Sequence, residues 1–284
     1  MSLYSSQLEQ KLIINQLSNM SANTANTGKT APGPKSEPAP SSVAAHVQTL
    51  QFAWFAGHAV TVISALFYLL TYVRVFPGAY KFWYKLAFLG ALGSFGVLIF
   101  QLVKKLGVRP ALLLKDDNVH YLVLAAVLFV YSPYVLLTLS TFTLFSTFHV
   151  LSYARNFLFP LFHIPETHPL SVHVGNFITA NNNNLIALAS LLEVYTVAWL
   201  FVRVITLRKT SLVPFFVYVV FIKFRFEKLA FTRNAFKSVE VKVESLVNRT
   251  GVPAAKNVWI KAKGVFHQIG GISIVNDYTK EKSI

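Results

Sequence analysis

Four stretches of this chain are too apolar and too long to be ordinary core segments. Phe52 to Val73 gives 22 residues with no Asp, Glu, Lys or Arg. As a helix that run reaches ~33 Å, enough for a hydrocarbon core of ~30 Å. Phe82 to Val103 is a second span, with Lys85 placed to snorkel near its start. Asn118 to Ala154 runs 37 residues without a formal charge, whereas one crossing needs ~20. The excess reads as a long tilted helix, a hairpin, or a span plus an interfacial helix, with Ser132-Pro133 as the place to kink or turn. Leu185 to Leu207 is the next span, and Leu212 to Ile222 follows it with only ~16 Å of reach. That last segment is expected to be half-inserted or packed on its neighbour. Within the second span Gly90, Gly93 and Gly96 offer a close-packing face.

The predicted fold is all-α: a polytopic helical membrane protein with a disordered N-terminal segment over 1–50, a transmembrane domain over 51–224 and a basic amphipathic tail over 225–284. Composition agrees. The chain is 54% apolar and 13% charged, against about 25% charged in soluble domains. Residues 1–50 read as polar without a cleavable signal, with a Ser/Asn/Pro-rich linker after one short amphipathic stretch at Leu3, Leu8, Leu12 and Ile13. Cysteine is absent, which removes disulfides, thiolate metal sites and cysteine nucleophiles.

A net charge of +15 raises nucleic acid as a partner. The basic residues, however, sit between apolar runs and in the tail, without a nucleic-acid motif, so the expected partner is a lipid bilayer with anionic headgroups or an acidic protein. Basic residues also set topology. Lys104, Lys105, Arg109 and Lys115 crowd one loop, and Arg203, Arg208, Lys209 and the tail crowd another region, whereas 156–184 has no Lys or Arg. Four crossings with both termini cytosolic, taking 118–154 as one crossing, fit this pattern better than six, which would put Arg208 and Lys209 in the lumen instead. The four-crossing topology leaves the 156–184 loop lumenal, at the cost of placing Arg74 and Lys81 there too. The run Asn181–Asn184 is expected to cap the following helix, and Asp116, Asp117 or Asn118 the one before it.

Glu193, near the middle of its span, is the most costly residue of the membrane domain. It reads either as a proton or ion site working with His120 or His149, or as a carboxyl that fastens helices together. His163, His168 and His173 recur every five residues in a Pro-rich loop, too widely for common metal-ligand pairs, and the acidic pair before His120 reads as a cap. No catalytic motif or cofactor site is identified, and no catalytic or metal residue is predicted.

The tail holds two amphipathic stretches. Residues 223–284 carry 12 Lys/Arg against 5 Asp/Glu. In the first stretch Phe236, Val239, Val243 and Leu246 align, with mixed charges elsewhere. Its expected partner is either the membrane or the second stretch. The second lies between Gly251-Val252-Pro253 and Gly270-Gly271, which break, start and stop a helix. Its residues Val252, Ala255, Val258, Trp259, Ala262, Val265, Phe266 and Ile269 fall in a stripe of roughly 140°, with Lys256, Lys261, Lys263 and His267 elsewhere. Such a helix is expected to lie on the membrane. Lys280 and Lys282, third and fifth from the C-terminus, resemble a dilysine retrieval signal of endoplasmic-reticulum proteins.

The stretch Asp116-Asp117-Asn118-Val119-His120-Tyr121-Leu122, then Phe145-Ser146-Thr147-Phe148-His149 and Tyr153, resembles the transmembrane protein 33 family, which includes fungal nuclear-pore membrane proteins. The asparagines at 181–184, Glu193, and Pro214-Phe215 leading to Tyr218 and Arg225 resemble it too. The likeness covers roughly 50–250. It implies a non-enzymatic, multi-span protein of the endoplasmic reticulum and nuclear envelope. The partners it implies are nuclear pore components, reticulon-type membrane-shaping proteins and an import receptor. It also implies structural roles for Glu193, His120 and His149.

Overall fold

The computed structural model describes residues 49–273, all of whose regular elements are helical. The expected disorder of the N-terminal segment and the retrieval signal at Lys280 and Lys282 lie outside the described residues. Eight main helices run in order: α1 (Leu50–Tyr72), α2 (Tyr80–Leu106), α3 (Asp117–Tyr131), α4 (Leu136–Tyr153), α5 (Pro169–Ile205), α6 (Leu212–Lys228), α7 (Ala230–Thr250) and α8 (Pro253–Gly271). Hydrocarbon offers backbone groups no hydrogen-bond partner, so helices are the form these apolar runs can take there. Four helical segments are long and apolar enough to cross a membrane, those of α1, α2, α4 and α5.

The stretch 118–154 is a hairpin. Tyr121 on α3 meets Phe142 and Phe145 on α4 edge-on, a pairing centred on Pro133. The turn is made by Ser132 and Tyr134, both with positive φ, at 43° and 52°. Such backbone is costly for residues other than glycine. It is held by Tyr68, whose hydroxyl donates to the Tyr134 carbonyl (2.8 Å), and by Arg203, which donates to the Pro133 carbonyl (3.1 Å). Asp116 caps α3, its Oδ1 accepting from the Asn118 amide at 2.8 Å.

Six helices form a ring: α1 packs on α2, α2 on α3, α3 on α6, α6 on α5, α5 on α4 and α4 back on α1. Successive helices are antiparallel. The proximal end of the bundle carries the start of α1, the end of α6 and Asp117; the distal end carries the turns near 73–79, 132–135 and 206–211. The centre is packed by Tyr84, Phe88, Leu124, Leu128, Leu139 and Phe142. Across α1 and α2 the backbones approach at Gly57 and Gly90, where a Cβ on Gly90 would stand 2.6 Å from the Gly57 carbonyl oxygen. Gly93 and Gly96 have nothing within 4 Å, so their spacing with Gly90 marks no packing face.

Of the three arrangements open for 118–154 the structure shows the hairpin, so the 156–184 segment lies at the proximal end with the start of α1 and the end of α6, not at the far end where a single crossing would put it. It is also mostly helix, because α5 begins at Pro169 behind a His168 cap and runs for 37 residues. The asparagine run therefore sits inside α5 instead of capping it, and Asn181 donates back to the Phe177 carbonyl at 2.9 Å. Finally, 212–222 belongs to a longer helix, α6, which packs on α5 as one of the two expected arrangements and returns to Asp117.

Candidate functional site

Two arrangements stand out: a charged network inside the ring and a helical hairpin outside it. Glu193 of α5 is fully buried. Tyr121 of α3 donates its hydroxyl proton to Oε1 at 2.6 Å, and Arg225 of α6 donates from Nε to Oε2 at 3.3 Å. Each carboxylate oxygen thus has a partner from a different helix. The Arg225 guanidinium also lies 5.5 Å from the Tyr121 ring centre and 3.8 Å from Asp117. Asp117 in turn accepts from Lys228 at 2.7 Å. Burying a charge is costly unless it is paired and hydrogen-bonded; both conditions hold for Glu193, whereas Arg225 is paired but keeps its Nη2 buried without a hydrogen-bond partner. The network closes the ring at the α3–α6 joint and ties that joint to α5.

Neither histidine expected beside Glu193 is its partner. His120 bonds the Leu114 carbonyl through Nε2 at 2.7 Å and stacks on Phe224. His149 lies against Trp54 and His58 near the proximal end of α1, and His58 shares a hydrogen bond with Ser146 at 2.9 Å. A proton path built from Glu193 with these two residues has no basis in this geometry. The residues missed as partners, Tyr121 and Arg225, left a signal in the arginine: it is flanked by Phe224 and Phe226, three residues past an apolar run. Among the described residues no group of three or more His, Cys, Asp or Glu is placed to hold a metal ion.

Outside the ring, α7 leaves α6 across a one-residue break at Leu229 and packs along α5. Its buried residues are Thr232 and Ala235, and Phe236 and Val239 join Val194 and Ile222 in a small apolar cluster. Phe236, expected on the membrane, instead packs edge-on against Phe226. Val243 is half-buried, and Leu246 is exposed. Gly251, at a φ of 65°, ends α7 in the left-handed conformation that glycine adopts freely. The chain then folds back as α8.

α8 is pinned to α7 by Lys263, which pairs with Glu240 (3.4 Å) and Glu244 (3.2 Å). The hydrogen bond to Glu244 holds the Lys263 ammonium above its usual pKa range. At the other end Lys223 donates to the Gly270 carbonyl at 3.1 Å. Ala255, Trp259 and Ala262 are half-buried, and no residue of α8 is buried. The rest of the stripe is open: Val258 is 68% exposed, Phe266 60%, Val265 53% and Ile269 47%. Lys256 and Lys261 are exposed beside it. The structure thus divides the expected membrane-facing set. Lys263 and Phe236 are engaged within the protein, Trp259 is partly covered, and Val258, Val265, Phe266 and Ile269 form an uncovered apolar edge.

Comparison with known proteins places these features in a family context. The family described as Transmembrane protein 33/Nucleoporin POM33 matches residues 36–269. A Chaetomium thermophilum protein called nucleoporin POM33 is 29% identical over 81% of this chain and 89% of its own. The pore membrane protein of 33 kDa of Saccharomyces cerevisiae is 29% identical over 72% of this chain and 78% of its own. Tetra-spanning protein 1 of Schizosaccharomyces pombe is 28% identical over 79% of this chain and 85% of its own. No solved structure matches.

Proposed function

The chain belongs to the Transmembrane protein 33/Nucleoporin POM33 family, and we propose that it is a non-enzymatic organiser of curved membrane in the endoplasmic reticulum and nuclear envelope, contributing to nuclear pore assembly or distribution. The names of the two relatives from Chaetomium and Saccharomyces support the pore assignment. The observation that carries the membrane part is the uncovered edge of α8, apolar at Val258, Val265, Phe266 and Ile269, basic at Lys256 and Lys261, and anchored to a bundle that already sits in a bilayer. An edge of this kind inserts shallowly among headgroups and favours a surface that curves away from it. Each basic residue near an anionic surface adds about 1 kcal/mol. In this reading Glu193, His120 and His149 are structural. The same basic surface suits an acidic partner such as an import receptor, and reticulon-type proteins are expected neighbours on curved membrane.

Full-length fluorescent protein in giant vesicles containing anionic lipid is expected to concentrate on nanotubes pulled from the flat wall. Replacing Val258, Val265 and Ile269 together with Asp is expected to abolish that enrichment. Equal enrichment of the triple variant would remove α8 from the reading. In cells, tagged protein spread evenly over the nuclear rim without coincidence with pores would remove the pore assignment.

We also propose that the proximal end faces the cytosol. It carries Lys104, Lys105, Arg109, Lys115 and the tail, and the positive-inside rule favours it over a distal end with Arg74, Lys81, Arg208 and Lys209. The native sequon at Asn248 is then expected to remain unglycosylated, and a sequon-bearing insert between Phe76 and Ala79 to be glycosylated. The opposite pattern inverts the topology.

A further inference from the structure

The six helices of the ring are not equally suited to the same bilayer. On one side α1 carries no charged residue from Phe52 to Val73, a reach of ~33 Å. Across the ring stands α6, whose uncharged stretch from Leu212 to Ile222 gives only ~16 Å. Lys209 bounds it at the distal end and Lys223 at the proximal end, where Lys223 pairs with Glu227 at 3.0 Å. Beside α6, the neighbouring helix α5 gives a second, independent measure. The polar helix α7 lies against it near Ser190 and Val194, and Lys242 donates to the Tyr195 hydroxyl at 3.4 Å. From Tyr195 to the distal end of α5 at Ile205 is ~15 Å. Two neighbouring helices therefore place the proximal polar boundary at the same short distance from the distal end.

A full-thickness bilayer cannot satisfy both walls. Against α5 and α6 it would draw the exposed Lys237 and Lys242 and the length of α7 into hydrocarbon, where each charge costs about 2.5–3.5 kcal/mol on insertion scales; the Lys223–Glu227 pair is largely buried within the protein. Thinning the bilayer costs fractions of a kcal/mol per Å of mismatch. We propose that the protein holds an asymmetric hydrophobic belt: lipid meets α1 at full thickness and is thinned along the α5–α6 wall, where α7 takes the level of the proximal headgroups. The lipid that fits this wall has short or strongly disordered acyl chains. The proposal concerns the shape of the bundle and stands whether or not α8 senses curvature or the protein works at pores.

The chain has no native cysteine, so single-cysteine variants of the full-length protein can map the boundary. The protein is reconstituted in phosphatidylcholine vesicles with 18-carbon chains, and a membrane-impermeant maleimide is supplied on both faces. A thiol reacts only where water can ionise it and the reagent can reach it. Val60→Cys and Ile63→Cys on α1, and Trp199→Cys on α5, are expected to stay unlabelled. Val60 lies ~20 Å from Val73 and so beyond the thin belt. Leu188→Cys on α5 and Lys242→Cys on α7 are expected to label at a rate comparable to Lys256→Cys on α8. All are exposed surface positions in the fold, so the variants are expected to fold. Protection of Leu188→Cys or Lys242→Cys to the level of Ile63→Cys overturns the proposal, because the bilayer would then be of full thickness on both walls.

Discussion

Arg225→Ala is expected to lower stability by about 3–5 kcal/mol, the usual cost of removing one partner from a buried ion pair. The loss strands the Glu193 carboxylate, which no exposed surface serves, and leaves it the Tyr121 hydroxyl as its remaining hydrogen-bond donor among the described residues. It also removes the 3.8 Å link to Asp117 across the α3–α6 joint. Thermal unfolding of the purified protein in mild detergent, followed by monodisperse recovery on size exclusion, reads the effect. The companion experiment is a double substitution, Glu193→Leu with Arg225→Met. Replacing a buried pair by apolar side chains of similar volume is often neutral or stabilising, so the double variant is expected to recover most of the loss. A double variant as unstable as Arg225→Ala alone would show that the pair contributes more than mutual compensation. Glu193→Gln keeps acceptor capacity for Tyr121 and is expected to be milder than Arg225→Ala.

The second large effect lies at the α1–α2 contact. Gly90→Val is expected to cost at least about 1–3 kcal/mol through overpacking. The first atom of the new side chain would stand 2.6 Å from the Gly57 carbonyl oxygen and 2.8 Å from the Thr61 amide nitrogen. Both are backbone atoms, so the helices themselves must separate. Separation also strains the hydrogen bonds that bind this interface, from Thr61 Oγ1 to the Ala87 carbonyl at 3.1 Å and from Ser94 Oγ to the Trp54 carbonyl at 3.0 Å. Gly93→Val and Gly96→Val meet open space and are expected to leave the melting temperature nearly unchanged. Equal losses at all three positions would mean that the approach of α1 to Gly90 does not govern the effect, since helix propensity favours valine over glycine.

This contrast shows what the sequence made legible. Gly90, Gly93 and Gly96 look alike as a pattern, but only Gly90 faces a neighbour, because the choice depends on where α1 sits. The helical membrane class was readable from charge-free length, a property of the chain alone. The hairpin at 132–135 was not decided, since an apolar run of 37 residues satisfies the bilayer equally as one tilted helix or two short ones. Deciding it takes the pairing of Tyr121 with Phe142 and Phe145 across the turn. The same gap explains Glu193. Its burial followed from its place in an apolar run, but its partners come from α3 and α6, and sequence distance does not separate Tyr121 from the adjacent His120 or favour Arg225 over His149. In the tail, periodicity drew an apolar stripe along α8. It carried no information about Glu240 and Glu244, which claim Lys263 from the other helix of the hairpin.

The ring has an order of completion built into it. The Glu193 carboxylate is translated 32 residues before its arginine, and Asp117 precedes Lys228 by 111. While the chain is being made, the first five helices carry an acidic group facing a gap in the wall, and no earlier helix supplies a cation to it. The last helix of the ring closes the gap and neutralises the charge in one event. A product that ends before Arg225 therefore carries an uncompensated charge and an open seam. Completeness of the polypeptide and closure of the fold are reported by the same pair of residues.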